Sequence, residues 1–263
     1  MHAVSRSLLV LASLLLTAAP AALLAADDAP ELPKWKKGVQ EGVVEIDGKK
    51  EAFVALVPKG YSTKKEWPVV LLLHGNGGKA ASFLNTVKSA AGKKPPLLIS
   101  LERCDNNQDA VGYAPKYLEA LRAQFAIDDA NVYALGFSGG GFRLWDDIVC
   151  KADVLPKFRG VILFGSARQS FDPPEKPEQA PTVILVGDPK DSNFTKTAPA
   201  GEKALADRGY EVIVLEHRGG HSVARKELED VFTWIAAIVK GKKTALVTRR
   251  LDDRDKKKKK KKR

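Results

Sequence analysis

Eight short apolar runs divide the chain, and stretches with the spacing of amphipathic helices separate most of them. The runs, between residues 43 and 217, are VVEI, AFVALVP, WPVVLLLHG, PPLLISL, NVYALGF, RGVILFG, PTVILVG and EVIVLEH. The helical stretches lie at about 80–91, 114–125, 140–150, 199–208 and 222–239. Nearly continuous apolar runs of this length are typical of strands that are buried on both faces, as in parallel sheets. The alternation predicts an α/β fold, with a mostly parallel central sheet of about eight strands and helices on both faces.

The fifth run ends in glycines around one serine, in the sequence VYALGFSGGG. Gly136-Phe137-Ser138-Gly139-Gly140 has the Gly-x-Ser-x-Gly pattern and stands between a predicted strand and a predicted helix. On such a turn the serine adopts a strained backbone, and the glycines remove Cβ atoms that would clash. The turn would expose Ser138 Oγ at the carboxyl edge of the sheet, where open α/β folds place their sites. The competing interpretation is a glycine-rich turn that opens a helix and holds a phosphate.

A serine hydroxyl needs a neighbouring base to act as a nucleophile at neutral pH, and the chain has four histidines. His2 lies in the amino-terminal apolar segment. His74, in LLLHGNGG, ends the third run. Enzymes with a serine on such a strand-to-helix turn place a loop that holds an oxyanion at this point. His217 ends the last run, and His221 lies in the loop after it, in RGGHS. The base has to reach over the carboxyl edge of the sheet, so His221 is favoured over His217.

The third group of such a site is an acid that orients the imidazole and stabilises its cation. The sequence VILVGDPKDSNF places Asp188 and Asp191 directly after the seventh run, and either gives the order serine, acid, histidine of nucleophile-elbow enzymes. Asp188 precedes Pro189, which holds it extended, and its side chain is suited to bonding its own turn. Asp191 lies three residues farther out, within reach of His221. Asp191 is therefore the predicted acid, and Asp188 stays open as the alternative.

Taken together, these motifs resemble those of secreted α/β hydrolases, in the esterase branch that contains polyhydroxybutyrate depolymerases and feruloyl esterases. The resemblance covers about residues 41–240 and depends on LLLHGNGG, IDDANVYALGFSGGG, VILVGDPKD and GGHS in that order. It implies the α/β-hydrolase fold. The extended loop DPPEKPEQAP, at 172–181, is too short to be a cap domain, and the expected chemistry uses neither a metal nor a cofactor.

The same resemblance implies a role for each site residue. Ser138 would be the nucleophile, His221 the base and an aspartate of GDPKD the acid. The backbone N–H groups of Asn76 and Gly139 would form the oxyanion hole. One departure is LERCDNNQ at 101–108, which stands where related enzymes often carry a loop with proline and glycine. This departure leaves the substrate preference open.

Residues 1–26 have the layout of a secretory signal peptide, with a basic start, an apolar run from Leu8 and small residues at its end. Cleavage is expected after Ala21 or Ala26, which would place the mature protein in the periplasm or outside the cell. The alternative is an uncleaved anchor, because the apolar run is just long enough to span a bilayer. The remaining divisions are a linker at 27–40, a catalytic domain at 41–240 and a disordered lysine-rich tail at 241–263.

The formal net charge of +11 comes mostly from the last eight residues, KKKKKKKR, and the chain without them carries +3. A run of like charges repels itself. It is either a solvated end or a contact for anionic surface polymers or lipid headgroups. Nucleic acid is not an expected partner, because the protein is expected to be exported and has no basic patch interleaved with aromatic residues.

Cys104 and Cys150 are the only cysteines. Export makes a disulfide possible, but Cys104 follows a strand at the carboxyl edge and Cys150 ends the helix that runs away from that edge. Two free thiols are therefore expected.

The sequence predicts an exported serine hydrolase that cleaves carboxylic esters through an acyl-enzyme. A site without a cap favours short acyl groups or esters linked to a polymer. Two alternatives stay open: a peptidase of the same fold, and a non-catalytic surface-binding module that keeps the three side chains as a relic. The sequence does not define the oligomeric state.

Overall fold

The computed structural model describes residues 31–104, 112–243 and 246–251. The fold below belongs to the second of the two units into which the chain divides, Leu32–Arg263. The predicted signal peptide and the basic run at the end of the sequence lie outside the described residues. Within the described part, no helix is both long enough and apolar enough to cross a membrane.

All eight apolar runs form strands of one sheet. The strands are β1 (Gly38–Ile46), β2 (Lys49–Val57), β3 (Trp67–Leu73), β4 (Leu97–Leu101), β5 (Ile127–Phe137), β6 (Gly160–Phe164), β7 (Thr182–Gly187) and β8 (Val212–Glu216). Their order is β1-β2-β4-β3-β5-β6-β7-β8, with β2 antiparallel to both its neighbours and the other pairs parallel. The predicted, mostly parallel sheet is confirmed.

In the described part of the chain, four α-helices connect strands and a fifth follows β8, and together they cover both faces of the sheet. They are α1 (Ala80–Lys88), α2 (Tyr113–Arg122), α3 (Gly139–Leu144), α4 (Ser192–Asp207) and α5 (Arg225–Ile238). A π-helical turn, Trp145–Val149, continues α3, and a 3₁₀ turn spans Leu155–Lys157. Alternate residues of β3 show the layering: Val69 and Leu71 pack on the side of α2, α3 and α4, whereas Val70 and Leu72 pack on the side of α1 and α5. Strands buried on both faces explain the nearly continuous apolar runs.

The sequence predicted α4 to begin at 199, but the helix begins seven residues earlier, at Ser192. Pro199 lies inside the helix, and a proline there removes one backbone hydrogen bond and usually ends a helix. The Asp191 side chain accepts a hydrogen bond from Asn193 N at 3.0 Å and so caps the true start of the helix.

The connection between β6 and β7, residues 165–181, contains no helix or strand that could form a cap. It is held against the end of α4, where Arg208 pairs with Asp172 at 2.8 Å and with Glu175. Cys104 and Cys150 are not joined by a disulfide.

Two segments outside the predicted domain belong to the fold. Trp35 stacks on Phe125 with ring centroids 4.8 Å apart. Arg249 runs parallel to β8: its N–H donates to Val214 O and its carbonyl accepts from Glu216 N, both at 2.8 Å. The prediction of a disordered tail from residue 241 is therefore corrected for 246–251, because these backbone bonds hold the segment alongside β8, the last strand of the sheet. The other domain boundaries stay predictions.

Candidate active site

Ser138 lies on a sharp turn between β5 and α3, with φ 50° and ψ −118°. Apart from Asp47 it is the only non-glycine residue of the described chain with a left-handed φ. The turn requires its glycines because the backbone passes at close range. A Cβ on Gly136 would lie 2.7 Å from the carbonyl of Gly140, and one on Gly140 would lie 2.3 Å from the carbonyl oxygen of Leu73. The sequence predicted this strained elbow from the glycine spacing.

Three of the predicted side chains come together in one line of hydrogen bonds. His221 Nε2 lies 2.8 Å from Ser138 Oγ, and His221 Nδ1 lies 2.7 Å from Asp191 Oδ2. The Asp191 side chain is only 4% exposed, whereas 35% of the His221 side chain is open to solvent. With the proton of the neutral ring on Nδ1, His221 donates to the carboxylate and accepts from the serine hydroxyl. The arrangement can carry a proton away from Ser138 while the carboxylate stabilises the charged ring.

Each member of this line is held by a different element of the fold. Asp191 ends the loop after β7 and caps α4, which orients its carboxylate. His221 lies between β8 and α5, and its ring packs on Phe137 with centroids 4.9 Å apart. Gly165, directly after β6, leaves room for both: a Cβ there would lie 3.0 Å from the His221 ring and 3.3 Å from Asp191 Oδ2. The sequence analysis did not identify this role of Gly165. A glycine directly after a buried strand could have indicated a close approach of other groups there.

The loop after β3 brings the predicted oxyanion residues beside the elbow. A Cβ on Gly75 would lie 3.3 Å from Ser138 Cβ, so this loop passes close to the elbow. A Cβ on Gly139 would lie 3.1 Å from the backbone N of Asn76 and 1.7 Å from Asn76 Oδ1. Asn76 and Gly139 therefore lie against each other next to Ser138, which is the juxtaposition that an oxyanion hole of two backbone donors needs.

His74 belongs to this loop but not to the hydrogen-bond line. The residue is 2% exposed, with Nδ1 2.8 Å from Gly75 O and Nε2 3.0 Å from Glu102 O. It ties the loop after β3 to the end of β4. Its contribution to the site is the support of the backbone that carries Asn76.

His217 is buried at the end of β8, and neither of its ring nitrogens has a hydrogen-bond partner among the described residues. Burial lowers the pKa of His217, against the opposing influence of Glu227, Asp188 and Asp191. The structure thus places His221, and not His217, against Ser138.

Asp188 is the other acid of GDPKD, and it does not contact either histidine ring through a described hydrogen bond. Its Oδ1 accepts from Lys190 N at 2.8 Å, which is the turn bond that the sequence predicted. Its Oδ2 accepts from Gly219 N and Gly220 N, across to the loop of His221. Those two bonds were missed, because nothing in the sequence near Asp188 indicates a partner 31 residues away.

Among the described residues, no three or more histidine, cysteine, aspartate or glutamate side chains are grouped as metal ligands would be.

No known protein family and no curated protein matches this sequence. Solved structures do match the fold. One is a thermostable esterase with 16% identity and a TM-score of 0.60 over 75% of this chain. Another is a ferulic acid esterase from Anaeromyces mucronatus, solved with ferulic acid, with 16% identity and a TM-score of 0.57 over 75% of this chain. A third is dipeptidyl peptidase 4 from Porphyromonas gingivalis, with 10% identity and a TM-score of 0.58 over 75% of this chain.

The chain spans 62% of the thermostable esterase, 89% of the ferulic acid esterase and 35% of the peptidase. Together with the sheet order and the elbow, these matches define the class: the chain has the α/β-hydrolase fold. The predicted likeness to the feruloyl esterase branch is confirmed at the level of the fold. Because one fold hosts many activities, the activity has to be argued from the site.

Proposed function

We propose that this chain is a serine hydrolase that cleaves carboxylic esters through an acyl-enzyme intermediate. The observation that supports the proposal most strongly is the line of hydrogen bonds from Ser138 through His221 to Asp191. Both contacts lie within the range needed for direct proton transfer. A strained elbow that exposes the hydroxyl beside a base is the arrangement that activates serine as a nucleophile.

In the proposed mechanism Ser138 Oγ attacks the ester carbonyl while His221 Nε2 accepts its proton. Asp191 stabilises the imidazolium through Nδ1–H. The negative charge that develops on the carbonyl oxygen is held by the backbone N–H groups of Asn76 and Gly139, and each such donor contributes about 10²–10³ in rate. His221 returns the proton to the departing alcohol. A water molecule, activated by the same base, then releases the acid and restores Ser138.

Ser138, and not the neighbouring Ser166, is the proposed nucleophile. Ser166 Oγ lies close to the elbow, since a Cβ on Gly141 would come within 1.8 Å of it. However, Ser166 is fully buried and its hydroxyl donates to the carbonyl oxygen of Phe164 at 3.2 Å. Its proton is therefore engaged with an acceptor that cannot act as a base.

The proposed substrates are esters of short acyl groups or esters carried on a polymer. Two features support this choice: the partly exposed His221 side chain and the β6–β7 connection, 165–181, which carries no helix or strand to enclose a long chain. The ferulic acid esterase among the structural neighbours binds an aromatic acid. Feruloyl esters are accordingly the first polymer-linked class to test.

Chromogenic esters from acetyl to lauryl, run beside feruloyl esters and dipeptide amides, test the proposal. We expect turnover of the short esters, with kcat/KM falling as the acyl chain lengthens. Ser138→Ala should lower kcat by about 10⁶-fold, as in other triads. Faster turnover of the amides would favour the peptidase, and no turnover by the folded protein would favour the surface-binding module.

We also propose where the protein acts and what its basic end contacts. The layout of residues 1–26 supports a protein that acts in the periplasm or outside the cell. The basic run 256–263 is proposed to contact anionic polymers or lipid headgroups. Leu251 N donates to Glu216 Oε2 at 2.7 Å, at the carboxyl end of β8. The chain therefore leaves the described fold at the sheet edge that carries Ser138, a few residues before the basic run.

A further inference from the structure

One buried carboxylate bonds two loops of the candidate site at once. Asp188 directly follows β7 and is 5% exposed. Its Oδ1 accepts from Lys190 N at 2.8 Å, within its own loop. Its Oδ2 accepts from Gly219 N at 2.8 Å and from Gly220 N at 2.7 Å, in the loop between β8 and α5. Three backbone N–H groups from two separate loops thus converge on one side chain.

These two loops carry Asp191 and His221, which bond each other in the site. Asp191 lies in the first loop, and its N–H donates to Asp188 O at 2.8 Å. His221 directly follows Gly220 in the second. Gly220 has φ 65°, which glycine adopts freely and which turns the chain just before the imidazole. The side chain and the carbonyl of Asp188 therefore fix the backbone on both sides of the 2.7 Å bond between His221 and Asp191.

We propose that Asp188 is a positioning residue, whose carboxylate holds the β8–α5 loop against the β7–α4 loop and so sets the alignment of His221 with Asp191. The role of that alignment in turnover rests on the proposed function, but the alignment itself can be measured without a substrate. Small displacements of a catalytic base lower the rate steeply, since about 1 Å of misplacement lowers it by about 10²-fold.

The charge of Asp188 suits this task. Burial works to raise the pKa of Asp188, but the N–H groups of Lys190, Gly220 and Gly219 outweigh it and hold the pKa below its usual value. The charge of the neighbouring His217 ring acts in the same direction on the pKa of Asp188. An ionised carboxylate offers two acceptor atoms, one for each loop. A carboxamide offers only one, and its NH₂ would face a backbone donor of the other loop.

The test compares Asp188→Ala and Asp188→Asn with Asp128→Ala in the full chain. Asp128 is a matched control because its carboxylate also holds a turn, accepting from Ala130 N at 3.0 Å and from Asn131 Nδ2 at 2.7 Å. It lies near the start of β5, at the opposite edge of the sheet. Each variant is checked for folding by circular dichroism. kcat and KM are then measured on a soluble ester, and the His221 Nδ1–H proton is observed by NMR without substrate.

We expect Asp188→Ala to lower kcat by about 10²-fold with KM unchanged, and to shift or broaden the His221 proton resonance. Asp188→Asn should show a smaller loss in the same direction, because one loop remains bonded. Asp128→Ala should leave kcat, KM and the resonance as in the parent. Folded Asp188 variants with parental kcat and resonance would overturn the proposal.

If Asp188→Ala does not fold, Asp188→Asn decides by the same two readouts. The resonance also separates this proposal from the proposed function. A parent protein that hydrolyses no ester contradicts the function alone, whereas a resonance that both Asp188 variants leave unchanged contradicts the positioning role.

Discussion

Replacing Asp191 with Asn should remove activity by changing which His221 nitrogen carries the proton. Asp191 Oδ1 accepts from Asn193 N at the start of α4, so in the variant the carboxamide oxygen keeps that place. The new NH₂ group then points at His221 Nδ1 and donates to it. The ring proton has to move to Nε2, which can no longer accept the proton of Ser138.

The size of the effect follows from this change of tautomer. A triad with the wrong tautomer loses about 10⁴-fold in kcat, which corresponds to about 5.4 kcal/mol of transition-state stabilisation. The fold should be affected little, because the helix cap at Asn193 is kept and Asp191→Asn changes no volume. We therefore expect a folded protein with a parental melting temperature and almost no turnover.

The assay is steady-state hydrolysis of a short chromogenic ester by the parent, Asp191→Asn and Asp128→Asn. Circular dichroism melting of the same samples shows that each is folded. We expect kcat to fall about 10⁴-fold for Asp191→Asn and to stay at the parental value for Asp128→Asn.

Two results would refute the reasoning. One is a folded Asp191→Asn protein with near-parental kcat. The other is a rise in KM with kcat unchanged, which would mean that Asp191 contributes to substrate binding and not to the orientation of His221.

The remaining predictions concern the support of the site and the end of the chain. Gly165→Ala should lower both the melting temperature and kcat, because φ is +60° there and the new Cβ would lie 3.0 Å from the His221 ring; a variant with parental values would show that the ring does not need this space. His217→Phe should make the stability of the protein less sensitive to acid. The folded protein lowers the pKa of His217, so below the unfolded value of about 6.5 the unfolded chain binds a proton more readily than the folded one. The free energy of unfolding therefore decreases as the pH decreases, and the variant lacks this contribution. Melting of both proteins between neutral and mildly acidic pH measures this, and identical pH profiles would contradict it. Deleting residues 252–263 should leave the melting temperature unchanged and weaken binding to anionic vesicles at low salt; equal binding by the shortened chain would make the run a solvated end only.

The strands and the elbow could be predicted because their signals are local. Each strand of a parallel sheet is buried on both faces, so its own residues reveal it. The glycines around Ser138 are dictated by contacts within a few residues, such as Gly136 against Gly140. The order of serine, acid and histidine then limited the candidates that the sheet edge could bring together, and the structure does bring Ser138, Asp191 and His221 within hydrogen-bond distance.

The features that were missed depend on partners far along the chain. Asp188 looked like a turn residue because one of its three bonds is local, to Lys190, and the other two reach the loop of His221. The segment 246–251 looked like part of a charged tail. It is ordered because Arg249 pairs with Glu227 and with Asp230, at 2.7 Å for the latter, and bonds the edge of β8. From the sequence alone, a segment next to a run of basic residues is expected to stay apart from the fold through charge repulsion. Its acidic partners become known only from the structure.

The most direct test of the central claim is the site of reaction with an organophosphonate probe, read by mass spectrometry of the intact protein and of its peptides. The account predicts a single adduct on Ser138, lost in Ser138→Ala and strongly slowed in His221→Ala. A folded protein that the probe leaves unmodified, or an adduct on Ser166 in place of Ser138, would contradict it.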